Sequence, residues 1–205
     1  MKLPQPLSRR KVTFLLGGLL AAASLIAARG AELQQAAVTE LYKTVSYQAS
    51  AQAPQRPAAK GTVIHPTNIV RTGVDSRAEL QFNDNTITRM GANSVFSFDQ
   101  QSQTMDLSQG SVLFCKPKTS QTFEIATPAA TCSISGTTGF VEYIKPNRRS
   151  VTGHGTMIFG LVEGRTTVTI NGKQYPLRAG EMLLSTGGIV QKLTFNLLTF
   201  TQQAG

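Results

Sequence analysis

The sequence contains no tryptophan, only four tyrosines and two histidines, and few charged residues, which make up 15% of its 205 positions. Without tryptophan, and with little tyrosine, the chain has few aromatic rings that could stack on sugars, which disfavours a lectin-like carbohydrate binder. Two cysteines are too few for a zinc site, and neither His65 nor His154 has a ligand pattern around it. We therefore expect no metal site and no cofactor.

A nucleic-acid groove is not expected either. The chain carries 20 basic and 11 acidic residues, a formal charge of +9. Four of the bases, Lys2, Arg9, Arg10 and Lys11, lie in an N-terminal segment without acids, and the remaining 16 bases against 11 acids give +5. These bases are scattered and no aromatic side chains interleave with them, whereas nucleic-acid-binding surfaces cluster both.

Residues 1–28 have the pattern of an export signal. A positive start precedes an apolar run, Val12–Ala28, and small residues follow it, so cleavage after Ala28 is expected to leave a mature chain that begins at Arg29. An uncleaved membrane anchor is the alternative, although 17 residues are short for a bilayer span. The stretch "SRRKVTF" partly resembles a twin-arginine signal, but general secretion is favoured. We expect an extracytoplasmic location, in the periplasm or on the cell surface of a bacterium.

Apolar and polar residues alternate from Gly61 onwards. This period of two is typical of strands with one buried face, and turn signals such as "NDN", "GAN" and "NGK" separate the strands. The pattern predicts an all-β single domain of short stacked strands, arranged as a sandwich, a roll or a solenoid-like stack. Alternation predicts a core that contains Leu80, Phe82, Phe96, Phe98, Leu107, Phe123, Ile125, Ile134 and Val168.

The domain organisation follows from these shifts in composition. We expect an N-terminal segment at 29–60, a β-domain at 61–192 and a C-terminal tail at 193–205. Within the first segment, residues 48–60 are rich in Ala, Gln and Pro and indicate an exposed loop. Residues 32–47 fit either a helix or a strand, because Val38, Leu41 and Val45 could line one helix face while Val45 and Tyr47 alternate.

Four glycines are predicted to form structural bends. "DLSQGSVLF" and "GLVEGRTTV" echo each other at an offset of 54 residues, which suggests that Gly110 and Gly164 have the same mechanical role between two strands. Gly136 and Gly139 flank two threonines in "SGTTGF". A phosphate loop would continue into a helix and carry a lysine, and a nucleophile elbow needs Gly-x-Ser-x-Gly. Neither pattern is present, so a bend within the sheet is favoured.

Cys115 and Cys132 leave two possibilities open. In an oxidising compartment they could form a disulfide, which would stabilise the fold by roughly 3 kcal/mol. Both lie in strand-like runs, so they could equally be two small buried apolar residues.

The stretch "PNRRSVTGHG", residues 146–155, is long and polar compared with the other turns. Loops of this kind often carry binding residues, so Asn147, Arg148, Arg149 and His154 are predicted to contact a partner. The alternative is that this stretch and residues 48–60 are insertions without a binding role.

The order of several phrases resembles the FecR domain over roughly residues 61–184. They are "IVRTGVDSRAELQFNDNTITRMGANSVFSF", "MDLSQGSVLF", "FEIATPAATCSISGTTGFVEYI", "LVEGRTTVTI" and "LRAGEML". The sequence departs from the family pattern at Asn85, where the family favours glycine, and in "SGTTGF", which is one residue longer. Asparagine tolerates left-handed backbone, so we expect that turn to be kept.

The resemblance implies an extracytoplasmic β-domain that contacts envelope partners. Family regulators also carry a cytoplasmic anti-sigma region before a membrane helix. Only about 11 residues precede the apolar run here, so sigma-factor control by this chain itself is not expected.

The favoured function is therefore a non-enzymatic binding or signalling module for a protein partner or a cell-surface polymer. The alternative is a carbohydrate-active enzyme, a glycoside hydrolase or lyase, or a lectin-like binder on a β scaffold. Such an enzyme needs two carboxylates across a cleft. Each available acid has an expected role in a turn or on a solvent-facing strand surface; these acids are Asp84, Asp99, Asp106, Glu124, Glu142 and Glu163.

Overall fold

The computed structural model describes residues 33–118, 121–146 and 155–197, and these are almost entirely β-strand. The all-β prediction is confirmed. The strands are β1 Ala36–Tyr42, β2 Val45–Gln48, β3 Arg56–Pro57, β4 Val63–Ile64, β5 Ile69–Thr72, β6 Arg77–Phe82, β7 Ile87–Met90, β8 Val95–Asp99, β9 Thr104–Cys115, β10 Phe123–Thr127, β11 Ala130–Ile134, β12 Thr138–Ile144, β13 Thr156–Glu163, β14 Arg165–Ile170, β15 Lys173–Arg178, β16 Glu181–Thr186 and β17 Ile189–Thr194.

The strands form one continuous hydrogen-bonded system that consists of two sheets, which share β9. The first sheet has the order β4-β1-β6-β7-β9-β12-β13-β16-β17. The second sheet has the order β3-β2-β5-β8-β9-β10-β11-β14-β15. All these pairs are antiparallel except β9 with β10. The N-terminal half of β9 belongs to the second sheet and its C-terminal half to the first.

From β10 onwards, successive hairpins alternate between the two sheets. The hairpins β6–β7, β12–β13 and β16–β17 lie in the first sheet, and β10–β11 and β14–β15 lie in the second. Two-residue turns close two of them, with positive φ at Asn171 and Gly172 and at Gly187 and Gly188. Paired positive φ angles match the twist of the flanking strands. The chain thus builds both layers step by step.

The core lies between the two sheets. All nine residues that alternation assigns to the core are buried, so that prediction is confirmed. The ring of Phe82 in the first sheet lies edge-on to Phe98 in the second, with centroids 5.0 Å apart, and Phe96 is 6.5 Å away. Edge-to-face aromatic contacts at this spacing add to the hydrophobic stabilisation of the two layers.

The ambiguous segment 32–47 forms two strands, β1 and β2, and no helix within its described residues. Strand β1 pairs with β4 and β6, and β2 pairs with β5, which places Val38 and Val45 in the core while Leu41 is exposed. Strands β1 to β3 therefore join the same sheets as the strands after residue 61. Val38 and Val45 are buried because they lie on two successive strands. Their spacing of seven residues, which would also fit one face of a helix, does not arise from a helix here.

Candidate interaction surface

Gly110 lies where β9 passes from the second sheet to the first. Its φ is +86°, and a Cβ atom there would lie 2.5 Å from Cα of Ser94 and 2.8 Å from its Cβ. Ser94 is fully buried, and its hydroxyl accepts a hydrogen bond from the backbone N–H of Ser111 at 2.9 Å. Only glycine fits a left-handed backbone that is packed this closely.

Gly164 lies where the chain crosses in the other direction, from β13 in the first sheet to β14 in the second. Its φ is +89°, and a Cβ atom would lie 2.6 Å from the methyl group of Thr137 and 3.0 Å from the carbonyl oxygen of Gly136. The two glycines whose phrases echo each other in the sequence thus occur at two sheet-to-sheet passages. Gly110 nevertheless lies within one strand and not between two, because β9 continues from Thr104 to Cys115.

The stretch "SGTTGF" carries the chain from β11 in the second sheet to β12 in the first. Gly136 has a φ of +60° at this passage, whereas Gly139 lies within β12, where a Cβ atom would be 2.6 Å from the carbonyl oxygen of Gly160. Thr137 between them is buried, and its Oγ1 has no hydrogen-bond partner among the described residues. Backbone geometry and close packing account for this stretch.

Both cysteines are free thiols. Sγ of Cys115 in β9 accepts a hydrogen bond from Oγ1 of Thr138 at 3.5 Å, while Sγ of Cys132 in β11 lies 3.1 Å from Oγ1 of Thr166. Burial raises the pKa of the Cys132 thiol to about 12, although the contact with Thr166 opposes this shift. Cys132 therefore stays protonated at neutral pH, and a thiol without thiolate character is a poor nucleophile.

Asp84 and Lys116 form a buried ion pair. Nζ of Lys116 donates to Oδ2 of Asp84 at 2.8 Å and lies 5.1 Å from the centre of the Phe123 ring. The same carboxylate accepts hydrogen bonds from the backbone N–H of Thr86 at 2.9 Å and from its hydroxyl at 2.8 Å. With these partners, Asp84 fixes the turn between β6 and β7 to the end of β9.

Three other acids lie near one another on the outer face of the second sheet. Asp99 accepts hydrogen bonds from the backbone N–H and hydroxyl of Ser102, and these lower the pKa of its carboxyl group. Loss of hydration raises the pKa of the neighbouring Asp106, and the charges of Asp99 and Glu124 raise it further. Within the part of the chain that the structure describes, no three His, Cys, Asp or Glu side chains could hold a metal ion together.

A groove on the first sheet is lined by residues of three strands from the N-terminal part of the chain, β1, β6 and β7. Its central carboxylate, Glu79, accepts a hydrogen bond from Thr39 at 2.7 Å and forms an ion pair with Arg89 at 2.7 Å. The hydroxyl of Thr39, followed by Arg89, lowers the pKa of Glu79. Because Glu79 is hydrogen-bonded to Thr39 and ion-paired with Arg89, its carboxylate is not available for proton transfer.

The outer face of the second sheet is polar. Its strands direct short hydroxyl or acidic side chains away from the core, and adjacent strands place these in register, as with Thr131 opposite Thr169 and Ser133 opposite Thr167. This face consists mainly of Ser97, Asp99, Thr104, Asp106, Glu124, Thr131, Ser133, Thr167 and Thr169. Such a face is expected where an antiparallel sheet meets water.

The outer face of the first sheet is apolar in its C-terminal half. A cross-strand row runs through five strands from β9 to β17, and each member is directly opposite the next; its residues are Leu113, Phe140, Gly160, Met182 and Leu193. In the next row Glu142, Ile158, Leu184 and Gln191 lie opposite one another in turn, so a polar side chain stands at each end of the two apolar ones. We call these two rows, together with Ile144 and Ile189 near the strand ends, the apolar outer surface.

Part of this surface is covered by the chain itself. The ring of Phe140 lies over Gly160, and Phe195, which follows β17, packs edge-on against Phe140 with centroids 5.8 Å apart. Ile144, Ile189 and Leu193 remain 51%, 68% and 39% exposed. Thr156 and Thr186 separate Ile144 from Ile189, and exposed apolar patches on a protein commonly mark interaction sites.

The sequence indicates this surface by runs of consecutive apolar residues, which a search for alternating apolar and polar residues does not detect. Met157-Ile158-Phe159 and Met182-Leu183-Leu184 are runs of consecutive large apolar residues, which in a strand place apolar side chains on both faces. The predicted contact residues Asn147, Arg148, Arg149 and His154 lie outside the described residues.

Comparison with known proteins agrees with this architecture. A family model described as "FecR protein" matches residues 68–165. The chain carries a FecR-like domain. Among the phrases that resemble the family, Asp84 fixes a turn and Asn85 has the expected left-handed φ of 63°. The matched residues include Leu113 and Phe140 of the apolar outer surface, whereas Met182, Leu184 and Leu193 lie beyond them.

Two crystal structures of a protein from Parabacteroides distasonis ATCC 8503, described as a "putative anti-sigma factor", share the fold of the FecR-like domain. Each has a TM-score of 0.56 and 13% identity over 66% of this chain. The likeness spans 64% and 63% of those chains, so less than two thirds of their length is represented here. No curated protein matches the sequence significantly. Among the described residues, no helix has the length and apolarity needed to cross a membrane.

Proposed function

We propose that the chain is a non-enzymatic, extracytoplasmic FecR-like module that binds a protein of the bacterial cell envelope. The observation that carries the proposal is the apolar outer surface, which extends in register from Leu113 to Leu193. Buried apolar surface supplies most of the free energy of protein association. A face of this kind is therefore suited to a protein partner.

Two further features support the regulatory and extracytoplasmic parts of the proposal. The family match and the anti-sigma description of a protein with the same fold favour a role in signalling rather than in metabolism. The positive start and apolar run of residues 1–28 have the pattern of an export signal, or of an anchor that would hold the domain at the membrane.

A surface polymer is a less suitable partner for this face. Sugar polymers are bound by stacked aromatic rings and dense hydrogen-bonding groups. The ring of Phe140 is already in contact with Phe195, and from β12 to β17 the two rows contain two polar side chains, Glu142 and Gln191, among apolar residues. For the carbohydrate-active enzyme, Asp84 and Glu79 are poor candidates for the two carboxylates because both are held in ion pairs.

Site-specific photo-crosslinking in cells tests the proposal. A photoreactive residue in place of Leu184, on the apolar outer surface, is expected to crosslink a specific envelope protein. The matched position is Thr167, on the polar outer face of the second sheet. A third probe at Asn147 tests whether residues 147–154 form a second contact.

The crosslinked protein is then identified, and its binding to the purified full chain is measured. We expect Leu184→Lys to abolish binding and Thr167→Lys to retain it, with both variants melting near the parent temperature. Equal crosslinking from Leu184 and Thr167, or full binding by Leu184→Lys, would refute the assignment of this face.

A further inference from the structure

Within residues 33–118, 121–146 and 155–197 the two sheets have four edge strands, and three of them are poor templates for pairing. Strands β3 and β4 have two residues each. Strand β15 contains Pro176 and is flanked by Lys173 and Arg178. Very short edges, proline and charges are the usual means by which proteins prevent edge-to-edge association.

Strand β17 differs from these three edges. It has six residues without a proline, and among the described strands it pairs only with β16. Its one charged residue, Lys192, does not guard the edge, because Nζ turns back to Oε2 of Glu181 at 2.8 Å and to the carbonyl oxygen of Pro176 at 3.0 Å. The edge therefore lacks the usual protection.

The register of the β16–β17 hairpin fixes which backbone groups face outwards. The two-residue turn at Gly187 and Gly188 places Thr186 opposite Ile189, and hydrogen-bonded and non-hydrogen-bonded pairs alternate from there. The N–H and C=O groups of Ile189, Gln191 and Leu193 consequently face β16. Those of Val190, Lys192 and Thr194 face away from the sheet.

We propose that β17 pairs in antiparallel fashion with β17 of a second copy of this chain, about a two-fold axis at Gln191. This register places the outward-facing backbone groups of Val190 opposite those of Lys192 in the other copy, where they can exchange hydrogen bonds. It also places Leu193 opposite Ile189 on the apolar outer side. Both residues are exposed in the single chain, at 39% and 68%.

Charge favours this register over its neighbour. An axis at Lys192 would set two lysines directly opposite each other, and like charges at directly opposed positions destabilise a strand pair. The axis at Gln191 opposes two neutral amides instead. In an isologous pair each contact occurs twice, so the favourable apolar match of Leu193 with Ile189 is doubled.

The pairing would join two first sheets into one and bring the two apolar outer surfaces side by side. One edge of six residues is small beside the roughly 1,600 Å² of a standard stable interface. The association is therefore reversible and depends on protein concentration. It involves Ile189 and Leu193 at the edge of the apolar outer surface and leaves Leu113, Phe140, Ile158, Met182 and Leu184 accessible, so both can occur in the same molecule.

Disulfide trapping tests the register directly. Gln191→Cys places two thiols at a non-hydrogen-bonded pair, with Cα atoms about 4.5 Å apart across the axis, within the range for a disulfide. In the same register, Leu193→Cys places its two Cα atoms about 13 Å apart along the strands. The full chain with its native Cys115 and Cys132 provides the baseline rate of crosslinking.

We expect Gln191→Cys to form a covalent dimer under mild oxidation at least tenfold faster than Leu193→Cys or the parent. Equal rates for the two variants would overturn the register. A rate no higher than that of the parent for Gln191→Cys would overturn the pairing itself.

Sedimentation equilibrium provides a second measurement. Val190→Pro removes an outward-facing N–H and should leave the chain monomeric at concentrations where the parent self-associates. Gln174→Pro is the matched control, because it occupies the same position after the turn of the β14–β15 hairpin, whose edge already contains a proline. A parent that remains monomeric at all concentrations, or an equal effect of both prolines, would contradict the proposal.

Discussion

The two outer faces of this molecule differ although alternation builds both sheets. The second sheet presents hydroxyl and carboxylate side chains to solvent, whereas the C-terminal half of the first sheet presents Phe140, Ile158, Met182 and Leu184. Both sheets contribute equally to one core, so burial between them explains the inner residues only. The C-terminal half of the first sheet therefore has apolar side chains on both of its faces. A sheet with one face in water needs them only on the face that meets the core.

The largest expected effect comes from breaking the link between the two sheets. Gly110→Ala places a Cβ atom 2.5 Å from Cα of Ser94 in a left-handed backbone. We expect a loss of about 3 to 5 kcal/mol in the free energy of unfolding, from backbone strain and overpacking together. Chemical denaturation measures it.

The control for this change is Gly172→Ala. Gly172 also has positive φ, at +76°, but a Cβ atom there would meet nothing within 4 Å. It should cost only about 1 to 2 kcal/mol, the strain of the backbone alone. Equal losses at both glycines would show that the contact with Ser94 does not determine the passage of β9 between the sheets.

The two faces themselves should differ in their contribution to stability. Phe140→Ala removes a ring that packs on Gly160 and on Phe195, and we expect a loss of about 2 kcal/mol. Thr169→Ala on the polar face should change the free energy of unfolding by less than about 0.5 kcal/mol. Thermal melts of Phe140→Ala and Thr169→Ala measure the two changes in stability. A Phe140→Ala variant as stable as Thr169→Ala would mean that the apolar outer surface contributes nothing in the isolated chain.

A smaller effect of opposite sign is expected at the passage between β11 and β12. Thr137 is buried and its hydroxyl has no partner among the described residues, while its methyl group packs against Gly164. Thr137→Val replaces the unpaired hydroxyl with a methyl group of similar size, and should raise stability by about 1 kcal/mol. A rise in melting temperature is the expected result.

Thr137→Ala serves as the companion variant. It also removes the hydroxyl but loses the methyl contact, so it should be less stable than Thr137→Val. If Thr137→Val melted below the parent, the hydroxyl would have a favourable interaction, and "SGTTGF" would be more than a structural bend.

The smallest effect concerns the acidic part of the polar face. Loss of hydration, with Asp99 and Glu124, raises the pKa of Asp106 in the folded chain above its unfolded value. The folded chain therefore binds this proton more readily, and stability should fall as pH rises between the ordinary and the raised pKa of the carboxyl group. Asp106→Asn should remove that part of the pH dependence and stabilise the chain at neutral pH by less than about 1 kcal/mol after solvent screening.

Melts of the parent and of Asp106→Asn across the acidic pH range measure this contribution. The two curves should converge below the ordinary pKa of aspartate, where the carboxyl group is protonated in both states. A parent that gained stability relative to Asp106→Asn on raising the pH would show that Asp106 is stabilised as a carboxylate.

Much of the inner architecture could be predicted from local pattern. Alternation identified Phe82, Phe98 and Val168 as core residues, because a strand that separates a core from solvent must alternate. Asparagine at 85 could be assigned a left-handed turn since its side chain tolerates that backbone. The segment 32–47 could not be assigned, because both the helical and the strand period fit so few residues.

The sequence by itself determined the class of fold and the inward face of most strands, because these depend on each residue's own geometry and polarity. Only the tertiary structure decided that β9 belongs to two sheets, that Lys116 reaches Asp84, and that Phe140, Met182 and Leu193 share one row. These relations join residues far apart in the chain. Strand order and register bring them together, and no local period in the sequence encodes either one.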